Sequence, residues 1–323
     1  MHGSGAIAFP GLGIGEFFVD RVAFTVFGRE VYWYGVFIAT AFLLGVLLSL
    51  RLARENGLDQ DHIVNLVLIT TPVSIVGARA YYVLTTLDRY DSFYDMIAIW
   101  EGGIAIYGAI LAGMVCFFVY CRAKKLPFLK VLDVAAPSVI LGQGIGRWGN
   151  FVNQEAFGRV TDLPWRMELT IDGVRQAVHP TFLYESLWDV AGCALLLWIF
   201  FHRRADGQTA FSYFVWYGVG RFFIEGLRTD SLYVGPFRIS QLVSIALCAV
   251  GVVMLRRILR RPAAGAAGEA QPGEAGCVPA PEQSAADAPA PGDEPGEAAA
   301  DAPAPGDEPG EAAACGPQEG QRP

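Results

Sequence analysis

The chain has 323 residues, 53% of them hydrophobic and only 17% charged. Together with a mean hydropathy of +0.36, this excludes an ordinary soluble domain and points to a protein that crosses a bilayer several times. The net charge of −8 misleads, because from Pro262 onward twelve acidic residues stand against one basic, which leaves the preceding body at +3.

The N-terminal stretch MHGSGAIAFPGLGIG has neither the basic start nor the continuous apolar run of a signal peptide. Insertion is therefore expected to be directed by the membrane segments themselves. Residues 1–31, with an amphipathic patch around Phe17–Phe27, read as an extracytoplasmic arm lying at the membrane interface. Seven apolar runs follow at 32–50, 62–84, 104–120, 130–147, 180–201, 209–227 and 238–255, each near the length that spans the hydrocarbon core.

Basic residues gather on alternate connections: Arg51 and Arg54; Arg122, Lys124, Lys125 and Lys130; Arg203 and Arg204; Arg256, Arg257, Arg260 and Arg261. By the positive-inside rule the N-terminus is outside and the C-terminus cytoplasmic, as seven spans require. The longest external loop, 148–179, contains the turn signal Ile171-Asp172-Gly173 between alternating residues and predicts a small, partly β cap. Beyond Arg261 the chain is rich in Ala, Pro, Gly and Glu, and ADAPAPGDEPGEAA occurs twice, from Ala286 and from Ala300. Such a composition cannot offset its ordering entropy, so residues 262–323 are expected to be a disordered acidic cytoplasmic tail without a catalytic role. The six cysteines show no metal or redox spacing; those in the spans read as small packing residues, Cys277 and Cys315 in the tail as unpaired thiols. The fold class expected is thus an all-α polytopic membrane protein, residues 32–261 forming a seven-span domain with a small mixed cap outside.

The chemistry concentrates where the fourth run ends, in GQGIGRWGNFVNQEAFG, Gly142–Gly158. Five glycines there read as a polar loop that lets backbone approach a ligand. A helix-packing face would account for the glycines but not for Arg147, Asn150, Asn153 and Glu155 beside them. In the sixth run Tyr217, Arg221, Glu225 and Arg228 recur at four, four and three residues and share one helix face. They read either as a helix-pinning ion pair or as a polar stripe completing a head-group site with Arg147. His179-Pro180-Thr181, followed by Leu183-Tyr184-Glu185, places a histidine at the start of the fifth run and a carboxylate one turn deeper that calls for a partner such as an arginine. Trp33-Tyr34-Gly35 opens the first run, and Arg79 lies late in the second, either as a third site cation or snorkelling to the interface.

Gly146–Gly158 resembles, at every fixed position, the signature G-R-x-G-N-F-x-N-x-E-x-x-G of the prolipoprotein diacylglyceryl transferases. Y-G-x-x-R-F-x-x-E-x-x-R from Tyr217 and H-P-x-x-L-Y-E from His179 resemble two further blocks of that family, and Tyr34 matches its functional tyrosine. The resemblance extends over about residues 30–257 and departs at one place. Where many relatives carry histidine in G-G-x-x-x-H-G-G, this chain reads Gly102-Gly103-Ile104-Ala105-Ile106-Tyr107-Gly108-Ala109. Tyrosine can hydrogen-bond a phosphate or ester but is a poor base near neutral pH, so a mechanism using that histidine is in doubt here.

The resemblance implies transfer of the sn-1,2-diacylglyceryl group of phosphatidylglycerol to the lipobox cysteine of a preprolipoprotein, giving a thioether and glycerol 1-phosphate. It implies a multi-pass protein of the bacterial plasma (inner) membrane with its site facing outward, and no cofactor, metal or nucleic-acid partner. Arg147 and Arg221 would clamp the phosphate. Asn150 and Asn153 would hold glycerol hydroxyls or ester carbonyls, and Gly158 would permit the loop turn. Glu155 and Glu225 would orient the arginines, and either of them or His179 would accept the thiol proton. Tyr34 and Tyr107 complete the catalytic set expected, with Tyr217, Arg228 and Arg79 on the substrate-binding side. An anion transporter or a non-catalytic lipid-binding scaffold are the rivals. The halves show no internal symmetry of the kind a transporter would carry, and Tyr107 is the feature that favours a scaffold.

Overall fold

The computed structural model describes residues 5–90, 92–171 and 173–260. The expected tail, with Cys277 and Cys315, lies outside them, as do Asp172 of the cap turn and Arg261. Among the described residues the long helices are α1 (Trp33–Glu55), α2 (Gln60–Thr85), α4 (Ile106–Ala123), α5 (Phe128–Asn153), α6 (Thr181–His202), α7 (Gln208–Leu227) and α8 (Ile239–Leu259); α3 (Phe93–Ile97) is a single short turn in the connection before α4. Six of them are long and apolar enough to cross a membrane. The exception is α7, expected as a seventh span: its glycine, aromatic and charged positions keep its hydropathy below that of the others. It packs between α6 and α8 and against α5, so it belongs to the bundle all the same.

Burial explains the composition. Large apolar side chains point away from the bundle all along α1, α2, α4 and α8 (Leu43, Leu68, Ile110 and Ile245 are examples), as a lipid environment requires. The inner core is made of small clusters. Leu52, Ile63, Phe117, Val131 and Phe200 close one end of the bundle, while Ile140, Cys193 and Leu196 fill the α5–α6 seam. Trp188 of α6 and Trp216 of α7 stack at 4.3 Å, each indole N–H donating to the other's backbone carbonyl at 3.1 and 3.0 Å. Fully buried Asp133 of α5 caps the start of α7, its carboxylate accepting from the N–H of Gly207 at 2.7 Å and of Ala210 at 2.8 Å, with Arg203 Nε 3.5 Å away. A side chain borrowed from a neighbouring helix thus satisfies amides that helix geometry leaves open.

Two expectations change. The N-terminal stretch is not a separate arm beside the cap, because β1 (Gly5–Phe9) and β2 (Ile14–Val19) join β5 (Met167–Ile171) and β6 (Val174–Val178) in one antiparallel sheet of order β2-β1-β5-β6. Alternation along β1 buries Ile7 and Phe9 with Met167, Leu169 and Val178 against Phe151 and Phe182 of the bundle. The segment from Val22 to Tyr32 forms a separate hairpin, β3 (Val22–Val26) and β4 (Arg29–Tyr32), and a two-residue hairpin, β7 (Tyr233–Val234) with β8 (Phe237–Arg238), precedes α8.

The second change concerns Gly142–Gly158. Residues up to Asn153 are helical, and only the last few form a loop. The turn is made by Gln154 and Ala156, both in the left-handed region at φ 54° and 56°, and not by glycine.

Candidate active site

Continuation of α5 past its apolar stretch puts Arg147, Asn150 and Asn153 on successive turns of a rigid helix. Arg147 meets Glu185, in the second turn of α6, with Nε 2.7 Å from Oε2. Arg221 of α7 reaches Oε1 of the same carboxylate at 3.1 Å and Glu225 at 2.6 Å, one helical turn on. Arg228, at the end of α7, donates to Glu185 Oε1 at 3.2 Å and grips Asp230 through Nε and Nη2 at 2.9 and 2.7 Å. Three guanidinium groups from two helices therefore converge on Glu185, which is 5% exposed.

Glu185 was expected to need one arginine; it holds three and is the centre of the site. The signal that marks it in the sequence is a carboxylate one turn inside an apolar helix. Arg238, invisible to motif reading, closes the cluster from the α8 side: it donates to the carbonyl of Glu225 and, at 3.0 Å, to Tyr233 Oη.

The pairs differ in kind. Arg147 Nε and Glu225 Oε2 are buried and close to opposite charge, yet neither has an aligned hydrogen bond. Arg147 touches the hub only through Nε, and 20% of its side chain is accessible. Its terminal nitrogens, the edge suited to bidentate anion binding, make no side-chain hydrogen bond among the described residues. Burial opposes the charge of Arg228, but Asp230 and Glu185 outweigh it and raise the guanidinium's pKa. Asp230 is likewise resisted by burial and carried below the usual carboxylate range by Arg228.

The loop after α5 is locked from several sides. Asn150 and Asn153 donate to Glu155 Oε1 at 2.8 and 3.4 Å. Glu155 thus buttresses the asparagines and, among the described residues, contacts none of the arginines it was expected to orient. Gly158 pairs with Arg228 in a β-bridge, and a Cβ there would lie 2.6 Å from His179 Cβ. Its need for glycine is close packing and not a turn. Gly149 serves Tyr34 in the same way, since a Cβ would come 2.9 Å from the ring's Cε2. His179 Nδ1 lies 3.3 Å from Tyr184 Oη, which accepts from Trp165 Nε1 at 2.7 Å. Burial pushes the His179 imidazole below its ordinary pKa. Tyr217 shares the α7 face of Arg221 and stacks on Tyr213 at 5.6 Å.

Two expected site residues lie elsewhere. Arg79 is 6% exposed and spends its guanidinium on backbone carbonyls, donating to Asp95 at 2.6 Å, Met96 at 3.0 Å, Gly103 at 2.8 Å and also Gly102. It neither snorkels nor joins the cluster; it clamps the connection leading into α4. Tyr107, half-buried in the first turn of α4, has no hydrogen bond to the arginine cluster among the described residues.

An apolar cleft of about 400 Å³ opens on the other side of α5, between α1, α2 and α5. It runs from Ile38, one turn inside Tyr34, along Gly142, Ser138 and Val134 to Ile63, with the Ser49–Ser138 hydrogen bond of 2.8 Å in its wall.

Fold and site define a polytopic membrane protein with an arginine-rich site where α5, α6 and α7 meet. Residues 21–257 match the family model described as prolipoprotein diacylglyceryl transferase. Proteins named phosphatidylglycerol--prolipoprotein diacylglyceryl transferase are similar over most of their length. That of Finegoldia magna is 48% identical over 238 residues, covering 73% of this chain and 94% of the relative. Those of Listeria welshimeri and Clostridioides difficile are 44% and 42% identical, covering 76% and 73% of this chain and 92% of each relative. The chain belongs to the prolipoprotein diacylglyceryl transferase family, a family of membrane enzymes.

Proposed function

We propose that this protein transfers the sn-1,2-diacylglyceryl group of phosphatidylglycerol to the lipobox cysteine of preprolipoproteins, at the outer side of the bacterial plasma (inner) membrane. The observation that carries the reading is the convergence of Arg147, Arg221 and Arg228 on Glu185, in a bundle that also holds an apolar cleft. Such an arrangement suits a lipid whose phosphate needs cations and whose acyl chains need hydrocarbon.

The acceptor sulfur, as thiolate, attacks the glyceryl carbon that bears the phosphate. A C–S bond forms, that C–O bond breaks, and glycerol 1-phosphate leaves with the electron pair. A thiolate is already a strong nucleophile, so the main demand is stabilisation of the departing phosphate in a low-dielectric site. The open edge of Arg147 supplies a planar fork for it, backed by Arg221. Asn150 and Asn153, set by Glu155, are placed for glycerol hydroxyls or ester carbonyls, and Tyr34 and Tyr217 line the approach. His179, kept neutral by its burial, takes the thiol proton. Arg79 keeps the connection into α4 in place.

The test is transfer from phosphatidylglycerol labelled in its diacylglyceryl part to lipobox peptides containing Cys or Ser, with purified protein. Label on the Cys peptide alone, with glycerol phosphate released, is expected. Lipid binding without transfer would overturn the proposal in favour of a scaffold.

A further inference from the structure

The outer sheet has one free edge that runs into the site. Among the described residues β2 pairs only with β1, so every second residue along its other side directs its N–H and C=O outward. The opposite edge is partly taken, because Val160 bridges Val178 and the Thr161 N–H donates to the carbonyl of Ala177. Soluble proteins guard such edges with proline, lysine or inward charge. The sequence of β2, IGEFFV, carries none of these. Its single charge, Glu16, is engaged on the sheet's outer face by Arg175 at 3.1 Å, with Glu168 on the same guanidinium at 2.9 Å. The irregular pairing between Ile7 and Phe9 bends the start of β2, leaving Phe17–Val19 as the regular part, with Phe18 68% exposed.

This edge ends at the catalytic margin. Immediately after β2, Arg21 Nη2 donates at 3.1 Å to the carbonyl of Asn153, the last residue of α5. From the other strand, Gln154 Nε2 donates at 2.9 Å to the carbonyl of Gly5. The β1–β2 hairpin is thus fastened at one end to the two residues that close the arginine-bearing helix.

We infer that the free edge of β2 is a docking strand for the extended polypeptide segment that follows the acceptor cysteine of the protein substrate, which adds there as a further antiparallel or parallel strand. The inference rests on the proposed transferase reading. A cysteine held at the arginine-bearing helix would have its following residues near the Asn153–Arg21 contact, where the nearest unpaired backbone groups are those of alternate residues within Phe17–Val19. Backbone pairing is indifferent to side-chain identity, which suits an enzyme whose substrates share a short motif and then diverge. Six residues of β2 extend on the order of 20 Å, enough to read about five residues beyond the cysteine.

Two measurements on the full chain in phosphatidylglycerol nanodiscs test this. In the first, a lipobox peptide is N-methylated at one residue at a time after the cysteine. One alternating set of positions is expected to raise KM about fivefold each with kcat unchanged, while the intervening set is neutral. Uniform tolerance, or a monotonic fall with distance from the cysteine, overturns the inference. In the second, a photo-crosslinking amino acid replaces exposed Phe18, and the Ser form of the peptide is offered. Capture of the peptide is expected; capture only of lipid or of a second copy of this chain overturns it. Failure of the unmethylated Cys peptide to accept diacylglyceryl would instead strike the transferase reading itself.

Discussion

Removing the guanidinium from position 147 separates its two duties. Arg147→Ala is expected to lower the transfer rate by about 10²–10³-fold, the usual cost of losing a donor aimed at developing charge. Arg147→Lys keeps a cation near Glu185 but has no fork, so a deficit of about tenfold should persist in kcat with little change in stability. Glu185 should behave in the opposite sense. Glu185→Gln leaves three arginines around a neutral group, and breaking a buried pair costs about 3–5 kcal/mol. Thermal unfolding in detergent should show a loss in Tm of roughly 10 °C; an unchanged Tm would remove Glu185 from the centre of the site.

His179 carries the pH signature. Its folded pKa is depressed by burial, so the unfolded chain binds more protons below the ordinary imidazole value of about 6.5. Its contribution therefore favours folding less as pH falls through that value, and stability rises with pH across the window between the folded and unfolded pKa values. Transfer should likewise hold below pH 6.5 and decline only as the imidazole protonates, and His179→Asn should abolish that acid limb. A limb that survives the substitution assigns the proton to another group.

At the scale of elements, the reach of α5 decides the geometry. The sequence marks Arg147, Asn150, Asn153 and Glu155 by type, and the structure divides them, Arg147 meeting Glu185 while Asn150 and Asn153 bind Glu155. Their continuation on a helix was not legible, because four glycines between 142 and 149 read locally as loop and only packing against α1 and α6 makes them helical. The pairing of β1 with β5 was hidden for a related reason: five residues at one end of the chain carry no information about a partner in the loop between α5 and α6. Glu185 was visible as a buried acid, while its three partners depend on how α5, α6 and α7 meet. Asp133 offers a separate test at this scale. Asp133→Ala uncaps α7 and strands Arg203, and should cost at least about 2 kcal/mol. Asp133→Asn retains an acceptor and should recover part of it. Limited proteolysis at residues 203–207 would report the loosened junction, and equal resistance in all three proteins would contradict the capping role.

At the scale of the molecule, the alternation of basic connections predicts which side is which. A single cysteine placed at Phe27, fully exposed at the tip of the β3–β4 hairpin, should react with an impermeant maleimide on intact cells. One at Lys125 should react only after permeabilisation; the reverse pattern would invert the topology. A chain ending at Arg260 should transfer diacylglyceryl groups at the full-length rate, since the family match ends at residue 257.

The pairing of Ile7 with Leu169 also has a meaning in time. The partner of the first strand is synthesised about 160 residues after it, on the order of ten to thirty seconds at ribosomal speed. Throughout that interval β1 and β2 wait as a lone hairpin, which is marginal by itself, while four long helices are threaded into the bilayer. The first strand made is then among the last to be secured, and the arginine cluster gains its roof only when α6 follows β6 out of the ribosome. A nascent chain stalled before residue 167 should therefore expose residues 5–19 to protease, and one stalled after α6 should protect them.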